Sequence, residues 1–302
     1  MTEPDPREHR RAGTGPTENS AKPRRRLWGP ALVAAGVCAA AGLGLWLQIG
    51  ERLALDERHV VGSGAPDQVD VDASVQRVDA ASRELTLRVA VVPRGRMADP
   101  DGLSPAGDLV VRTSAAVRGD LAHRAHTRIA TTDLPVALAG GAVTDYPFDS
   151  YDTDLEFTAL YDGRPAPVRM TLTDNDALFS ARVRADAGDD AAVTVDLARS
   201  NSVLVFAVFM MAAMWALAVA VVIGTRYLVT GRRGLVWPAL GWMAATLFAP
   251  AAFRNTAPGN PPIGSILDYT AFLWAEAIVA VAVITTVVAG YRVETHARGP
   301  ER

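Results

Sequence analysis

Hydrophobic side chains are concentrated in three long runs in the last third of the chain. They cover Val203–Gly224, Leu235–Phe253 and Tyr269–Gly290. An α-helix rises about 1.5 Å per residue, so about 20 apolar residues cross a hydrocarbon core of about 30 Å. Backbone polar groups in lipid must find partners within their own segment, as they do in a helix. The pattern predicts transmembrane helices at 201–224, 235–253 and 269–290, packed as a three-helix bundle.

A fourth apolar run, residues 27–49, lies near the start of the chain. A cleaved signal peptide is the competing interpretation, because Ala39–Ala41 resembles a small-residue cleavage site. Hydrophobicity continues past that site to Ile49, which favours an uncleaved transmembrane helix. The preceding arm, residues 1–26, is rich in Pro, Arg, Gly and Thr and poor in large apolar side chains, so we expect it to be disordered.

Basic residues predict the orientation of these helices. Arginines, with one lysine, occur before the first helix (22–26), between the second and third helices (226–233) and in the tail (291–302), whereas the connection 254–268 has only Arg254. Loops that carry the excess of Lys and Arg stay in the cytoplasm. We therefore expect a multi-pass plasma-membrane protein with a cytoplasmic arm and tail and with residues 50–200 outside the cytoplasm.

Residues 50–200 show a different pattern, in which apolar and polar positions alternate. Alternation over short stretches bounded by Gly, Pro and Asp is typical of half-buried β-strands. It predicts strands at 69–75, 85–91, 109–117, 128–132, 153–161, 168–172, 178–185 and 191–197. The expected architecture is a membrane α + β fold. In it, an extracytoplasmic antiparallel β-sandwich is inserted between one N-terminal transmembrane helix and the C-terminal three-helix bundle.

Charge and cysteine content narrow the possible partners. Residues 50–200 contain 16 Arg and 25 Asp plus Glu, a net charge of −9, which argues against nucleic acid as a partner. The single cysteine, Cys38, rules out an internal disulfide. The partners we expect are the lipid bilayer, other membrane or envelope proteins, or a second copy of the chain. No cofactor is indicated.

Two stretches resemble an uncharacterised actinobacterial membrane family, the domain of unknown function 4436 family. They are Tyr146-Pro147-Phe148-Asp149, followed by an alternating strand, and the segment from Phe253 to Glu276. The resemblance covers most of the chain after the arm. It implies the topology and a membrane location, and it implies no activity.

A second, local similarity is to pentameric ligand-gated channels. Their outer β-sandwich carries a Phe/Tyr-Pro-Phe-Asp loop that rests on the outer connection between two membrane helices. Here Tyr146–Asp149 and residues 254–268 would correspond to those parts. The chain departs from the channels because only three helices follow the sandwich, and because the segment 235–253 has almost no hydroxyl groups where a pore normally has polar rings.

The residues Tyr146–Asp149 also have a purely structural interpretation. Pro147 restricts Tyr146 to extended geometry, Phe148 would fill the end of the sandwich, and Asp149 would cap amides of the turn. The functional hypothesis is that this loop couples the sandwich to the membrane helices by pressing on residues 254–268.

Glu276 is the candidate site within the apolar runs. It lies eight positions after Asp268 in the sequence, about 12 Å along a helix. A carboxylate at that depth is costly unless it faces protein or water. We expect Arg254 to be its partner, either as a structural polar link between helices or as part of a proton or ion relay.

The other polar clusters have ordinary interpretations. Asp152, Asp154 and Glu156 share one face of a strand and Asp174–Asp176 has turn composition, while His123 and His126 lack a third ligand at usual spacing. No metal site is predicted. No nucleophile, metalloprotease or phosphate-loop motif is present in the sequence, so no catalytic residue is assigned and no enzyme activity is expected.

The sequence therefore favours a non-enzymatic envelope sensor, scaffold or accessory subunit of unknown molecular activity. The alternative is a channel-like or transporter component in which the sandwich serves as a gate and Glu276 lies in the pathway.

Overall fold

The computed structural model describes residues 28–54, 58–114, 119–185 and 191–297. The chain divides into two compact units, residues 1–43 and 44–302, and the boundary falls inside the first helix, α1 (Trp28–Ala54). In the first unit the described residues are helical. The second unit contains a β-domain followed by a helical part. The predicted arm, residues 1–26, lies outside the described residues.

Within the described residues, the β-domain contains two sheets that together hold eleven strands. In chain order these are β1 (Arg58–Gly62), β2 (Val69–Asp79), β3 (Glu84–Pro93), β4 (Leu109–Thr113), β5 (Leu121–His123), β6 (Thr132–Ala137), β7 (Ser150–Tyr161), β8 (Arg164–Ala166), β9 (Val168–Asp174), β10 (Phe179–Ala185) and β11 (Ala191–Arg199). The first sheet has the order β1-β9-β2-β3-β6. The second has the order β10-β11-β7-β4-β5, with β8 paired to β7.

The two sheets share one buried core, formed by the apolar positions of the alternating strands. In β11, for example, Ala191, Val193, Val195 and Leu197 are buried while the residues between them are partly exposed. Inward residues of β2, β3, β7 and β9 belong to the same cluster. Side chains point to alternate faces of a strand, so the alternation in the sequence is what directs these residues into the space between the sheets.

The prediction of a purely antiparallel sandwich is wrong for one sheet. Strands β2 and β9 pair in parallel, with Val69 opposite Val168 and Val75 opposite Asp174, so the first sheet is mixed. These strands are far apart in the sequence, and a parallel pair needs a long connection between its strands. Here the connection contributes strands to the second sheet before the chain returns to the first. Alternation within a strand carries no information about the direction of its neighbour.

The predicted strand at 128–132 is displaced by several residues. The structure places β6 at Thr132–Ala137, at the edge of the first sheet. Pro135 in this strand has no amide hydrogen to donate, and an edge position tolerates that loss. The proline obscured the strand in the sequence pattern.

The turn composition of Asp174–Asp176 is confirmed as structural. Strand β2 has a register shift between Val75 and Arg77, and the amide of Val78 donates to Oδ2 of Asp176 at 2.5 Å. Oδ1 of Asp176 accepts from Leu178 N at 2.6 Å. The buried carboxylate thus joins the β9–β10 turn to the irregular part of β2.

The helical part contains two long helical stretches. Helix α2 spans Asn201–Thr230, and α5 (Leu273–Ala297) continues from a π-helical turn at Asp268–Phe272. Within the described residues these two stretches, each of 30 residues, are the helices long and apolar enough to cross a membrane. At about 1.5 Å per residue each is about 45 Å long.

The predicted three-helix bundle is wrong, because residues 235–253 do not form one long helix. The structure divides this run into α3 (Trp237–Thr246) and α4 (Phe248–Asn255), which meet at Leu247. Pro250 lies in the first turn of α4, where its ring replaces the amide that would have donated to Thr246 O. The run had the hydrophobicity of a membrane helix, but the proline interrupts its hydrogen bonding.

Helices α2 and α5 pack along a seam of buried residues. On α2 the seam recurs every three or four positions through Ala207, Met210, Met214, Ala218, Val221 and Thr225. On α5 it includes Ala275, Val279, Ala282 and Thr286. The Thr286 hydroxyl donates to Thr225 Oγ1 at 3.1 Å and the Thr225 hydroxyl donates to Ala282 O at 3.3 Å, so the few hydroxyls in this seam are hydrogen-bonded.

The stripe of small residues on α2 is not part of this seam. Ala212, Ala216, Ala220 and Gly224 recur every four positions, a spacing that predicts a helix-packing seam within the chain or with a partner. The three alanines are exposed and Gly224 is half-buried, whereas Met210, Met214 and Ala218 are buried. Within the chain, methionines and alanines of the neighbouring stripe make the helix contact.

Candidate functional site

The β-domain joins the helical part through a single residue. Strand β11 ends at Arg199 and α2 begins at Asn201, so only Ser200 separates them. Ser200 is 1% exposed. Its hydroxyl accepts from Val203 N at 3.4 Å as the helix cap, and it donates to Ala177 O at 3.1 Å. A serine at this position satisfies an amide of the first helical turn and fixes the strand to the helix. We call this end of the helical part the junction end.

The Tyr146–Asp149 loop lies at the junction end. It follows a short 3₁₀ helix, Val143–Asp145, and precedes β7. Tyr146 is completely buried in the cluster that contains Val203, Ala207 and Leu267 of the helical part. The expectation that Phe148 fills the sandwich end is wrong, because its side chain is 60% exposed. The tyrosine, not the phenylalanine, is the buried aromatic residue of this loop.

Asp149 forms a buried ion pair with Arg199, the last residue of β11. Arg199 donates from Nε to Oδ1 at 2.9 Å and from Nη2 to Oδ2 at 3.0 Å. The side chains are 4% and 0% exposed. The hydroxyl of Tyr151 also donates to Asp149 Oδ2, at 3.1 Å. Asp149 therefore acts as the counter-ion of a buried arginine, and not as the amide cap expected from the sequence. A bidentate pair of this kind fixes both position and orientation.

Aromatic rings cover the guanidinium group of Arg199. Its Cζ atom lies 4.1 Å from the ring centroid of Phe179 and 5.1 Å from that of Tyr146. A cation over an aromatic face is stabilised by the ring quadrupole, and more so where water is excluded. The loop thus holds the arginine from two directions, through the Asp149 carboxylate and through the Tyr146 ring.

Arg199 also lies against the connection between α4 and the π-helical turn. Gly259 in this connection has φ +78°, and a Cβ built there would lie 2.6 Å from Nη1 of Arg199. Any larger residue at this position would displace the guanidinium group. The Tyr146–Asp149 loop, the end of β11 and the connection 256–264 therefore converge on one side chain, Arg199.

Two tyrosines in this cluster have perturbed acidity. Burial raises the pKa of Tyr146 to about 12, against an opposing effect of Arg199. Burial, reinforced by the Asp149 carboxylate, also raises the pKa of Tyr151. Removing a phenol from water disfavours its anion. The hydroxyl of Tyr146 has no hydrogen-bond partner among the described residues. It is therefore a buried polar group whose hydrogen-bonding capacity is unused in this cluster.

Arg254 forms a second ion pair at the junction end, with Asp268. It donates from Nε to Asp268 Oδ1 at 3.2 Å and from Nη2 to Pro261 O at 2.9 Å. Asp268 Oδ2 also accepts from the amides of Gly264 and Ser265, at 2.7 and 3.1 Å. Ser265 and Asp268 have the Ser-x-x-Asp spacing of a capping box, and this spacing can be read from the sequence.

The structure gives Arg254 a different partner from the one expected in the sequence. Glu276, the expected partner, is half-buried on α5, and its Oε2 atom is buried without a hydrogen-bond partner among the described residues. Arg254 and Glu276 therefore do not form the expected pair.

The other polar candidates do not come together as a metal site. Within the described ranges, no group of three or more His, Cys, Asp or Glu side chains is placed to hold a metal ion. His126 Nδ1 lies 2.8 Å from Asp99 Oδ2, and burial lowers the pKa of His123. Asp154 accepts from the hydroxyl of Thr194 at 2.7 Å. These contacts are local to the β-domain.

Arg199 is the central residue that the sequence pattern missed, although a signal was present. Inward positions of β11 are the odd-numbered residues 191 to 197. Continuing that alternation places residue 199 on the inward face, where a charged side chain requires a partner. The partner, Asp149, is 50 positions away in the sequence, and the sequence alone does not identify it.

Comparison with known families divides the chain near the same junction. Residues 59–197 match the model described as Domain of unknown function (DUF4436), and residues 199–293 match a second, Domain of unknown function (DUF8686). The resemblance to the first family is thus confirmed for the β-domain, while the helical part matches a different family. None of the curated proteins compared with the chain matches it. The β-domain is therefore similar to the first family and the helical part to the second.

Proposed function

We propose that this chain is a multi-pass plasma-membrane protein that acts as a non-enzymatic sensor, scaffold or accessory subunit. In this proposal, residues 50–200 lie outside the cytoplasm and transmit contacts with other proteins to the membrane helices. The observation that carries the proposal is the junction built on Arg199. One buried side chain holds β11, the Tyr146–Asp149 loop and the connection 256–264 together.

Membrane placement is supported by the surfaces of the two long helices. Large apolar side chains are exposed along their whole length, including Phe209 and Ile223 of α2 and Val281 and Ile284 of α5, each more than 60% exposed. A continuous apolar surface of this kind is compatible with lipid and unfavourable in water. Aromatic side chains near the helix ends, such as Tyr227 and Trp274, are also exposed, as in the aromatic belts of membrane proteins.

The orientation is supported by the distribution of arginines. Arg226, Arg232, Arg233 and Arg292 lie at the end of the helical part opposite the junction, and all are exposed. The two arginines at the junction end, Arg199 and Arg254, are buried in ion pairs. Exposed basic residues mark the cytoplasmic side of a bilayer, so the β-domain belongs on the outer side.

Compartment-specific thiol labelling tests this placement. Single cysteines at Arg124 and Arg232, both exposed positions, are introduced separately into a Cys38→Ala background. In intact cells an impermeant maleimide should label the position-124 variant, and it should label the position-232 variant only after permeabilisation. The reverse pattern, or equal labelling of both before permeabilisation, would overturn the orientation.

Hydrogen exchange in lipid nanodiscs tests transmission through the junction. The Asp149→Asn variant should increase exchange in residues 256–264 and in the first turn of α2, because Arg199 loses its counter-ion. Asp133→Asn is the matched control, since Asp133 pairs with Arg88 on the exposed face of the β-domain. Increased exchange confined to residues near position 149 would contradict transmission.

A second candidate function, transport or channel activity, is favoured by one specific observation. Glu276 places a buried carboxylate oxygen without a hydrogen-bond partner, among the described residues, in an apolar helix. Such a group is costly unless it serves a pathway or an unseen partner. Proton or cation flux in liposomes that is present for the wild type and lost for Glu276→Gln would support this function, and absence of flux in both would exclude it for the conditions tested.

A further inference from the structure

A pocket at the junction end is lined by polar and by apolar side chains. It lies where the connection from α4 meets the π-helical turn, on the surface of the helical part. We call its polar residues, Arg254, Asn255 and Asp268, the polar wall, and the lining also includes the apolar side chains of Ile263, Phe272 and Leu273. A concave site that offers both polar and apolar groups is suited to an amphiphile.

The polar wall retains hydrogen-bond donors that the protein does not use. Nε and Nη2 of Arg254 are engaged with Asp268 and Pro261. The Nη1 amine and the side-chain amide of Asn255 have no hydrogen-bond partner among the described residues. The Arg254 side chain is only 13% exposed, so its remaining donors lie in a site with little competing water. An arginine in such a setting is well suited to bind a phosphate oxygen.

In the membrane placement proposed above, the pocket would lie at the boundary between lipid headgroups and acyl chains. Asp268 begins the helical stretch that ends at Ala297, and Leu273 lies five residues further, about 7.5 Å along the helix axis. Below the polar wall, Leu273 and Trp274 are 47% and 58% exposed. A headgroup at the level of Arg254 would therefore direct an acyl chain along Phe272 and Leu273.

We propose that this pocket binds one glycerophospholipid molecule. Its phosphodiester accepts hydrogen bonds from Nη1 of Arg254 and from the Asn255 amide, and one acyl chain packs against Phe272 and Leu273. The ion pair with Asp268 holds the guanidinium group in place through Nε and leaves Nη1 free to bind the ligand. This proposal rests on the membrane placement proposed above. It places a lipid ligand beside the connection 256–264, which contacts Arg199.

Native mass spectrometry of the detergent-solubilised full chain tests the site. The protein is incubated with phosphatidylglycerol or with diacylglycerol of the same chains, which lacks the phosphate. The wild type should retain one phosphatidylglycerol in preference to diacylglycerol. Asn255→Ala should reduce that retention on the order of tenfold, because one hydrogen bond to a charged group is lost. Leu273→Gln should reduce the retention of both lipids.

Trp274→Cys, in the Cys38→Ala background, is the matched control, because Trp274 is an exposed neighbour that does not line the pocket. It should retain lipid as the wild type does. A fluorophore on this cysteine, in liposomes, also reports membrane placement through quenching by a lipid-phase quencher. Quenching without preferential retention of phosphatidylglycerol would overturn the lipid site alone. Absence of quenching would overturn the membrane placement itself. Retention unaffected by both Asn255→Ala and Leu273→Gln would place the lipid elsewhere and contradict the site.

Discussion

The arginines at the two ends of the helical part have opposite environments. At the junction end, Arg199 and Arg254 are buried in ion pairs with Asp149 and Asp268. At the opposite end, Arg226, Arg232, Arg233 and Arg292 are exposed. A buried ion pair is costly to break, because the remaining charge is left without a partner. An exposed arginine contributes little to stability and much to orientation in a membrane.

This contrast shows that residue type alone does not determine the role of an arginine. The buried arginines lie at points where two segments meet, and each is fixed by a carboxylate that also holds neighbouring groups. Asp149 accepts from Tyr151, and Asp268 accepts from Gly264 and Ser265. The junction end is therefore expected to determine mechanical coupling, whereas the opposite end is expected to determine topology.

The largest effect should come from removing the buried counter-ion. Asp149→Asn leaves the charge of Arg199 unpaired, and we expect a loss of about 3–5 kcal/mol in the free energy of unfolding. Thermal unfolding or pulse proteolysis in detergent measures the change. Asp133→Asn, in the exposed pair with Arg88, should leave the midpoint unchanged. Similar losses in both variants would show that the buried pair at the junction contributes no more to the free energy of unfolding than the exposed pair does.

Overpacking the α2–α5 seam should have the next largest effect. Ala218 is 1% exposed, and Ala218→Leu forces extra volume between the helices, at a cost of about 1–3 kcal/mol. Ala212→Leu makes the same change on the exposed stripe of α2 and should be tolerated within the chain. Equal destabilisation by the two variants, measured by thermal unfolding in one detergent, would mean that the small-residue stripe is also a packing face.

Tyr146→Phe should have a smaller effect, of opposite sign. The hydroxyl of Tyr146 is buried without a partner among the described residues, so its removal should leave stability unchanged or raise it by about 1 kcal/mol. Because the pKa of Tyr146 is raised to about 12, its protonated form is favoured in the folded state. The stability that comes from this difference in pKa between the folded and unfolded states is fully present below about pH 10, the normal tyrosine pKa. It is lost as pH rises towards 12.

An alkaline stability profile checks this assignment. The Tyr146→Phe variant should lose less stability than the wild type between pH 10 and 12. Tyr227→Phe, at an exposed tyrosine of α2, should follow the wild-type profile. A Tyr146→Phe profile identical to that of the wild type would indicate that this phenol is accessible to water in the folded protein.

Charge reversal at the opposite end should have the smallest effect on stability. Arg232→Glu combined with Arg233→Glu changes two exposed side chains, and we expect no measurable shift in the unfolding midpoint. The same change should instead increase the fraction of molecules inserted with inverted topology, measured by the labelling at position 124. A destabilised protein with unchanged topology would contradict the assigned role of these arginines.

The sequence predicted the parts of the fold that depend on local pattern. Alternation located most strands, because burial on one face requires a period of two. Hydrophobicity identified α2 and the run that contains α5. It failed at residues 235–253, where Pro250 divides the run, and for the parallel pairing of β2 with β9, which depends on chain crossover between distant segments.

The candidate site was predictable only in part. The motif Tyr146–Asp149 drew attention to the correct loop, but the roles of its residues depend on tertiary contacts. Tyr146 is buried by residues of the helical part, and Asp149 finds its partner 50 positions later in the sequence. The sequence predicts that Arg254 pairs with Glu276, whereas Asp268 is nearer in the sequence and is oriented by the amides of Gly264 and Ser265.

A double-mutant cycle between Arg199 and Gly259 tests the junction most directly. Gly259→Ala introduces a Cβ 2.6 Å from Nη1 of Arg199, and Arg199→Lys removes that atom while keeping the charge. The backbone strain of alanine at φ +78° is common to both backgrounds, so it cancels in the cycle. Gly259→Ala should destabilise the wild type by about 1 kcal/mol more than it destabilises the Arg199→Lys variant. Additive effects would contradict the claim that Arg199 joins the β-domain to the connection 256–264.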